Sequence, residues 1–189
     1  METGRSSSMD RGQEAAVRGA ERTQNALLKA QEHLFVALRR PQPARERRWA
    51  EMVSTELAAA LAALREHRLE VEGPSGLYAE LQRDAPWTQA RLRQVGSQLR
   101  RIEAEIVDLQ METARVEAGD FQSITSVRVD AERMLLSLRD LLSKEADLVW
   151  ERFNEPAALD GEGAVRFPRL RRPVQRERLP TRRPRRSPT

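Results

Sequence analysis

The chain contains no cysteine. Disulfides, thiolate metal sites and cysteine nucleophiles are therefore excluded, and a reducing, cytoplasmic setting is the expectation. Aromatic residues are only 4% of the sequence, with a single tyrosine and three tryptophans, so the core must rest on aliphatic side chains. Histidine is nearly absent, with His33 and His67 only, which leaves few donors for a histidine-rich metal site. Lysine is equally scarce: Lys29 and Lys144 are the only two among 33 basic residues. No apolar run approaches the ~20 residues a membrane span needs; the longest, 57–64, is far shorter. The first residues, METGRSSSMDRG, lack the apolar stretch of a secretory signal. No Gly-rich phosphate loop is present, since Gly73-Pro74-Ser75-Gly76 reads as a helix end and turn.

Helical periodicity fills most of the remaining sequence. A first helix is expected over about 16–39, with Leu27, Leu34, Phe35 and Leu38 on one face beside Gln24 and Gln31, and with His33 turned away. Pro41 and Pro43 stop it. A second runs from about 44 to 71 with Trp49, Val53, Leu57, Ala60, Leu64 and His67 in its stripe, and Glu56 beside them. A short turn of helix over 76–83 follows. Asp84 then reads as the cap of a third long helix, with Pro86 in its first turn. That helix carries the cleanest pattern: Leu92, Val95, Leu99, Ile102, Ile106, Leu109, Thr113 and Val116 alternate at spacings of three and four. After Gly119-Asp120, a fourth helix over about 123–152 presents Ile124, Val127, Ala131, Met134, Leu138, Leu141 and Leu148. No segment alternates like a strand. The fold expected is all-α, an up-down-up-down four-helix bundle over 16–155, with a disordered segment at 1–15 and a disordered Arg/Pro-rich tail at 156–189.

Charge is divided unevenly. From residue 164 onward there are ten arginines, five prolines and one acid, Glu177, whereas the body before it is mildly acidic. The tail reads first as a solubilising segment. An alternative gives residues 164–189 weak, nonspecific contact with nucleic acid or an acidic surface. The sparse aromatics argue against base stacking there, and a Pro-rich segment also suits a protein partner.

The order Trp49…Val53…Leu57…Leu64…His67, then Glu72-Gly73-Pro74…Gly76-Leu77-Tyr78…Glu80 and Ala85-Pro86, resembles the hemerythrin-like (HHE cation-binding) bundles. So does Ala146-Asp147-Leu148-Val149-Trp150-Glu151, which is similar to the end of their fourth helix. The resemblance covers about 20–160. It implies a non-haem di-iron centre held between helices by histidines, one Glu and one Asp, with a position left for O₂. The ligand pattern departs from that family at most positions. His67 matches the second-helix histidine, but Val71 stands four residues on where a carboxylate is expected; Leu99 and Leu141 match the inward histidines of the third and fourth helices.

The resulting expectation is a non-catalytic bundle with a degenerate metal site and no cofactor, a structural or interaction protein whose protein partner the sequence does not name. His67 is expected to be a core histidine bonded to a neighbour such as Glu56 or Gln31, and its replacement by leucine to cost little. The competing reading is a metal-binding or O₂-sensing bundle holding iron through His67 with Glu56, Glu70, Glu72 or Glu103. Glu56, Glu103 and Glu145 all fall inward by periodicity, and one or two are expected to turn to the bundle edge.

Overall fold

The structure, a computed structural model, describes residues 3–40, 44–84 and 86–154. Among them the chain is all-helical, with no strand. Four long helices are present: α1 (Thr3–Arg39), α2 (Glu46–Glu72), α4 (Gln89–Glu117) and α5 (Ile124–Asn154). A short helix, α3 (Leu77–Asp84), lies between α2 and α4, followed by a 3-10 turn at Pro86–Thr88. None of the described helices is long and apolar enough to cross a membrane. The arginine-rich tail lies outside the described residues.

The buried stripe on α2 includes the sequence-predicted Trp49, Val53, Leu57, Ala60, Leu64 and His67, and every predicted position on α4 is buried. On α5, Val127, Ala131, Met134, Leu138, Leu141 and Leu148 are buried, with Ile124 packed against them. Leu99 and Leu141 have no exposed surface. Each such leucine removes enough apolar area from water to stabilise the fold by about 2 kcal/mol.

Cross-helix bonds run in opposite sequence order along each neighbouring pair. Arg65 and Glu103, then Glu72 and Arg100, join α2 to α4. Gln98 reaches Asp140 and Arg91 pairs with Glu151 between α4 and α5. Gln31 Nε2 donates to the Leu135 carbonyl at 3.3 Å between α1 and α5, and Arg128 donates to the Arg40 carbonyl at 3.5 Å near the other end.

Three local expectations are corrected. The chain is helical from Thr3 rather than from Ala16; over 11–16, Arg11, Gly12, Glu14 and Ala15 are exposed and Ala16 is buried. Phe35 lies 41% exposed rather than in the core, because the inward face of α1 is built from Ala20, Ala30 and Ala37 beside Leu27, Leu34 and Leu38. Small alanines let the neighbouring helices approach and leave no room for a phenyl ring on that face. Asp84 is the last residue of α3, not the cap of α4; Thr88 precedes α4, and its side chain makes no capping hydrogen bond. Helix ends read well elsewhere. Gly73 caps α2, and Gly119 ends α4 at φ 111°, a left-handed conformation suited to glycine, with Asp120 N–H donating back to the Arg115 carbonyl at 3.0 Å.

Candidate functional site

Four buried polar side chains meet inside the bundle, one each from α1, α2, α3 and α5. Their placement begins with helix periodicity. Thr23 follows Ala16 and Ala20 on the inward stripe of α1, and Glu145 lies between Leu141 and Leu148 on that of α5. His67 follows Leu64 on α2. Tyr78, the only tyrosine, comes from α3, which is turned inward by the tight link 73–76. In that link Gly76 N–H donates to the Gly73 carbonyl at 2.9 Å.

His67 bonds on both ring nitrogens. Its Nδ1 lies 2.9 Å from Thr23 Oγ1, and its Nε2 lies 2.9 Å from Glu145 Oε2. Glu145 then accepts through Oε1 from the Tyr78 hydroxyl. Thr23 Oγ1 also sits 3.2 Å from the Gly19 carbonyl and 3.1 Å from that of Ala20. The result is a continuous relay, Thr23–His67–Glu145–Tyr78, with His67 1% and Glu145 5% exposed. Burying these groups singly would cost several kcal/mol, so the closed set of partners is what makes the interior tolerable.

The threonine hydroxyl can either donate to His67 Nδ1 or accept from it while donating to a helix carbonyl, so the Thr23 contact suits either tautomer of the ring.

Burial pushes the Tyr78 hydroxyl far above its ordinary value of 10.0, and the nearby Glu145 carboxylate raises it further. Tyr78 therefore stays protonated as a donor. In the unfolded chain a tyrosine ionises near pH 10 while the folded one keeps its proton, so this contribution is present below that pH and is lost as pH rises above it. Tyr78→Phe is expected to cost about 2 kcal/mol at neutral pH through the loss of a bond to a charged acceptor. The same variant should show a shallower fall of Tm between pH 10 and 11 than the wild type. Identical alkaline slopes would separate Tyr78 from that lability.

The residues singled out from the sequence as ligands do not gather at His67. Glu56 sits at the α1–α2 edge, 3.9 Å from His33. Glu70 faces Arg22 at 3.7 Å and approaches Gly19. Glu72 binds Arg100 at 2.9 Å and Arg68 at 3.6 Å. Glu103 is held by Arg65 at 2.7 Å and Arg68 at 3.3 Å. The expected His67 partners, Glu56 and Gln31, are replaced by Thr23 and Glu145, since Gln31 is spent on the Leu135 carbonyl. Of the three carboxylates read as inward, Glu145 stays inside while Glu56 and Glu103 turn to guanidinium or imidazole at the edge.

These donors do not fit a di-iron centre. A metal ligand needs a nitrogen lone pair free of other work, and both His67 nitrogens already have protein partners. Leucines, which offer no donor atom, fill the core at 99 and 141. Among the described residues, no three His, Asp or Glu side chains come together as a ligand set. Thr23 was missed in the sequence because a threonine in an alanine-rich stripe carries no ligand signature; Glu145 was legible as inward, but its partner was not.

No protein-family model, curated protein or solved structure matches the chain.

Proposed function

We propose that this chain is a non-catalytic, hemerythrin-like up-down-up-down bundle in which a hydrogen-bonded relay stands where related bundles carry a metal. Its role is structural or interactive, in the cytoplasm. The observation that carries this reading is the engagement of both His67 nitrogens within the chain. A hydroxyl, an imidazole and a carboxylate in series also describe an activated nucleophile. Here Thr23 is 2% exposed and its oxygen lies against its own helix carbonyls, so a substrate has no approach to it. The same four side chains instead tie α1, α2, α3 and α5 into one register.

Iron analysis tests the proposal. Protein made with ferrous iron in excess is expected to hold sub-stoichiometric iron, to lack oxo-bridged di-iron absorption, and to melt at one temperature with or without EDTA. Two tightly held irons per chain, or a melting point lowered by chelator, would overturn it in favour of the O₂-sensing alternative. The nucleic-acid reading rests on residues 164–189, outside the described residues; truncation at 164 followed by a binding assay against DNA separates it.

A further inference from the structure

Arginine is not used alike along the bundle. Among the described residues, nine arginines along its length each meet a carboxylate, as Arg18 meets Glu14, Arg65 meets Glu103 and Arg133 meets Asp130. The end formed by the α1–α2 and α4–α5 links is different. Arg39 and Arg40 close α1, and Arg45, Arg47 and Arg48 open α2. Arg115 lies in the last turn of α4 and Arg128 in the second turn of α5. None of these seven makes an ion pair among the described residues, and all but the part-buried Arg128 are exposed.

Contacts between the two links hold this set together. Arg128 donates to the Arg40 carbonyl at 3.5 Å, a Cβ at Gly119 would lie 3.8 Å from Arg47 Nη2, and the Asp120 N–H donates to the Arg115 carbonyl at 3.0 Å. Three of the guanidiniums are placed by uncharged groups. Arg128 lies over the Trp49 ring at 5.0 Å, Arg39 over Phe35 at 5.1 Å, and Arg40 reaches the Met52 sulfur at 3.9 Å. Such contacts fix a guanidinium without neutralising it. Over 39–51 and 115–128 the acids are Glu46, Glu51, Glu117 and Asp120, four against seven arginines. Two of the four are occupied locally: Glu46 accepts from the Ala44 N–H, and Asp120 from the Ser123 hydroxyl. One end of a mildly acidic body is therefore positive, and its charges repel one another until an anion lies across them.

We propose that this end of the bundle binds the phosphate backbone of duplex nucleic acid, without regard to base sequence. The planar guanidinium matches a phosphate through two parallel N–H donors, and several phosphates at close spacing suit several arginines at one surface. The tip itself, 44–48 and 118–123, has one large apolar side chain, Phe121. It thus offers charge rather than a wedge for lipid chains or a platform for unpaired bases. The surface is separate from the arginines after residue 164. It also stands apart from the metal question, because none of the seven arginines is bonded to His67 or its partners.

Fluorescence anisotropy with a short labelled DNA duplex tests it, on the full chain so that every variant keeps the same tail. The wild type is expected to bind, with log Kd rising linearly with log salt between about 50 and 200 mM. Arg45→Gln/Arg47→Gln/Arg48→Gln should bind at least about tenfold more weakly, with a salt slope shallower by about 2 to 3, since each lost phosphate contact removes about 0.9. The control Arg18→Gln/Arg93→Gln/Arg139→Gln loses the same charge away from this end and should stay within about threefold of the wild type. All six side chains are exposed, so circular dichroism should be unchanged in both variants. A wild type that ignores the duplex overturns the proposal while leaving the metal-free reading standing. So does an end variant that binds like the wild type, which would assign the binding to the tail. So does a control that loses as much as the end variant, which would leave only net charge. Binding to phosphatidylglycerol vesicles that needs Arg45, Arg47 and Arg48, with none to the duplex, would make the surface a membrane contact and overturn it too.

Discussion

Removing the His67 imidazole is expected to destabilise the fold by about 3–5 kcal/mol, whether or not a chelator is present. His67→Ala opens a cavity in a close-packed core. It also takes the Nε2 partner from Glu145 and leaves a buried carboxylate held by Tyr78 alone. His67→Leu restores the volume but not the partner, so it too should cost about 3 kcal/mol. This revises the expectation drawn from the sequence, in which leucine at 67 extends the pattern of Leu99 and Leu141 at little cost; the buried carboxylate facing position 67 is the reason. The triple replacement His67→Leu/Glu145→Met/Tyr78→Phe removes the whole polar set at once. It should recover most of the lost stability, since Thr23 can satisfy its hydroxyl at the Gly19 or Ala20 carbonyl. Urea unfolding of the four proteins, each with and without EDTA, reads the outcome. A triple variant no more stable than His67→Leu would show that the relay is not the source of the cost.

Gly76→Ala is expected to destabilise by about 3 kcal/mol, more than an ordinary surface substitution. The backbone angle is not the reason. A Cβ at that position would lie 2.2 Å from the Glu70 carbonyl oxygen and 2.7 Å from that of Val71, both main-chain atoms that cannot rotate aside. The end of α2 would have to shift, and α3 with it, which displaces Tyr78 from Glu145. Gly12→Ala is the control, because nothing lies within 4 Å of a Cβ there and α1 should tolerate or welcome it. Thermal melts of the two variants decide the matter; equal melting temperatures would refute the packing argument.

The fold was legible where large aliphatic residues carry the period. Every inward position named on α4 is buried, and the stripes of α2 and α5 read nearly as well. On α1 the signal failed at Phe35, because alanines do the packing there and a hydropathy stripe gives a large ring more weight than a small methyl. The start of α1 was missed because the sequence before Ala16 is mostly polar, and periodicity has no apolar stripe to detect there. At the candidate site the inward direction of His67 and Glu145 was readable one helix at a time. Which of them meet was not, since that depends on helix order and axial register, which no single stripe contains. The Thr23 hydroxyl and the Tyr78 hydroxyl became partners only through that register.

The relay reaches every helix except α4; over its buried apolar stripe, the polar ties of α4 lie on the surface, to α2 through Arg65, Glu103, Arg68, Glu72 and Arg100 and to α5 through Arg91 and Glu151. The two fasteners answer to different solvents. Ionic strength screens the outer one and barely touches the inner one. Concentrated salt should therefore weaken those outer ties by about 0.5 kcal/mol per pair, while the bonds around His67 hold unchanged and the buried stripe keeps α4 in place.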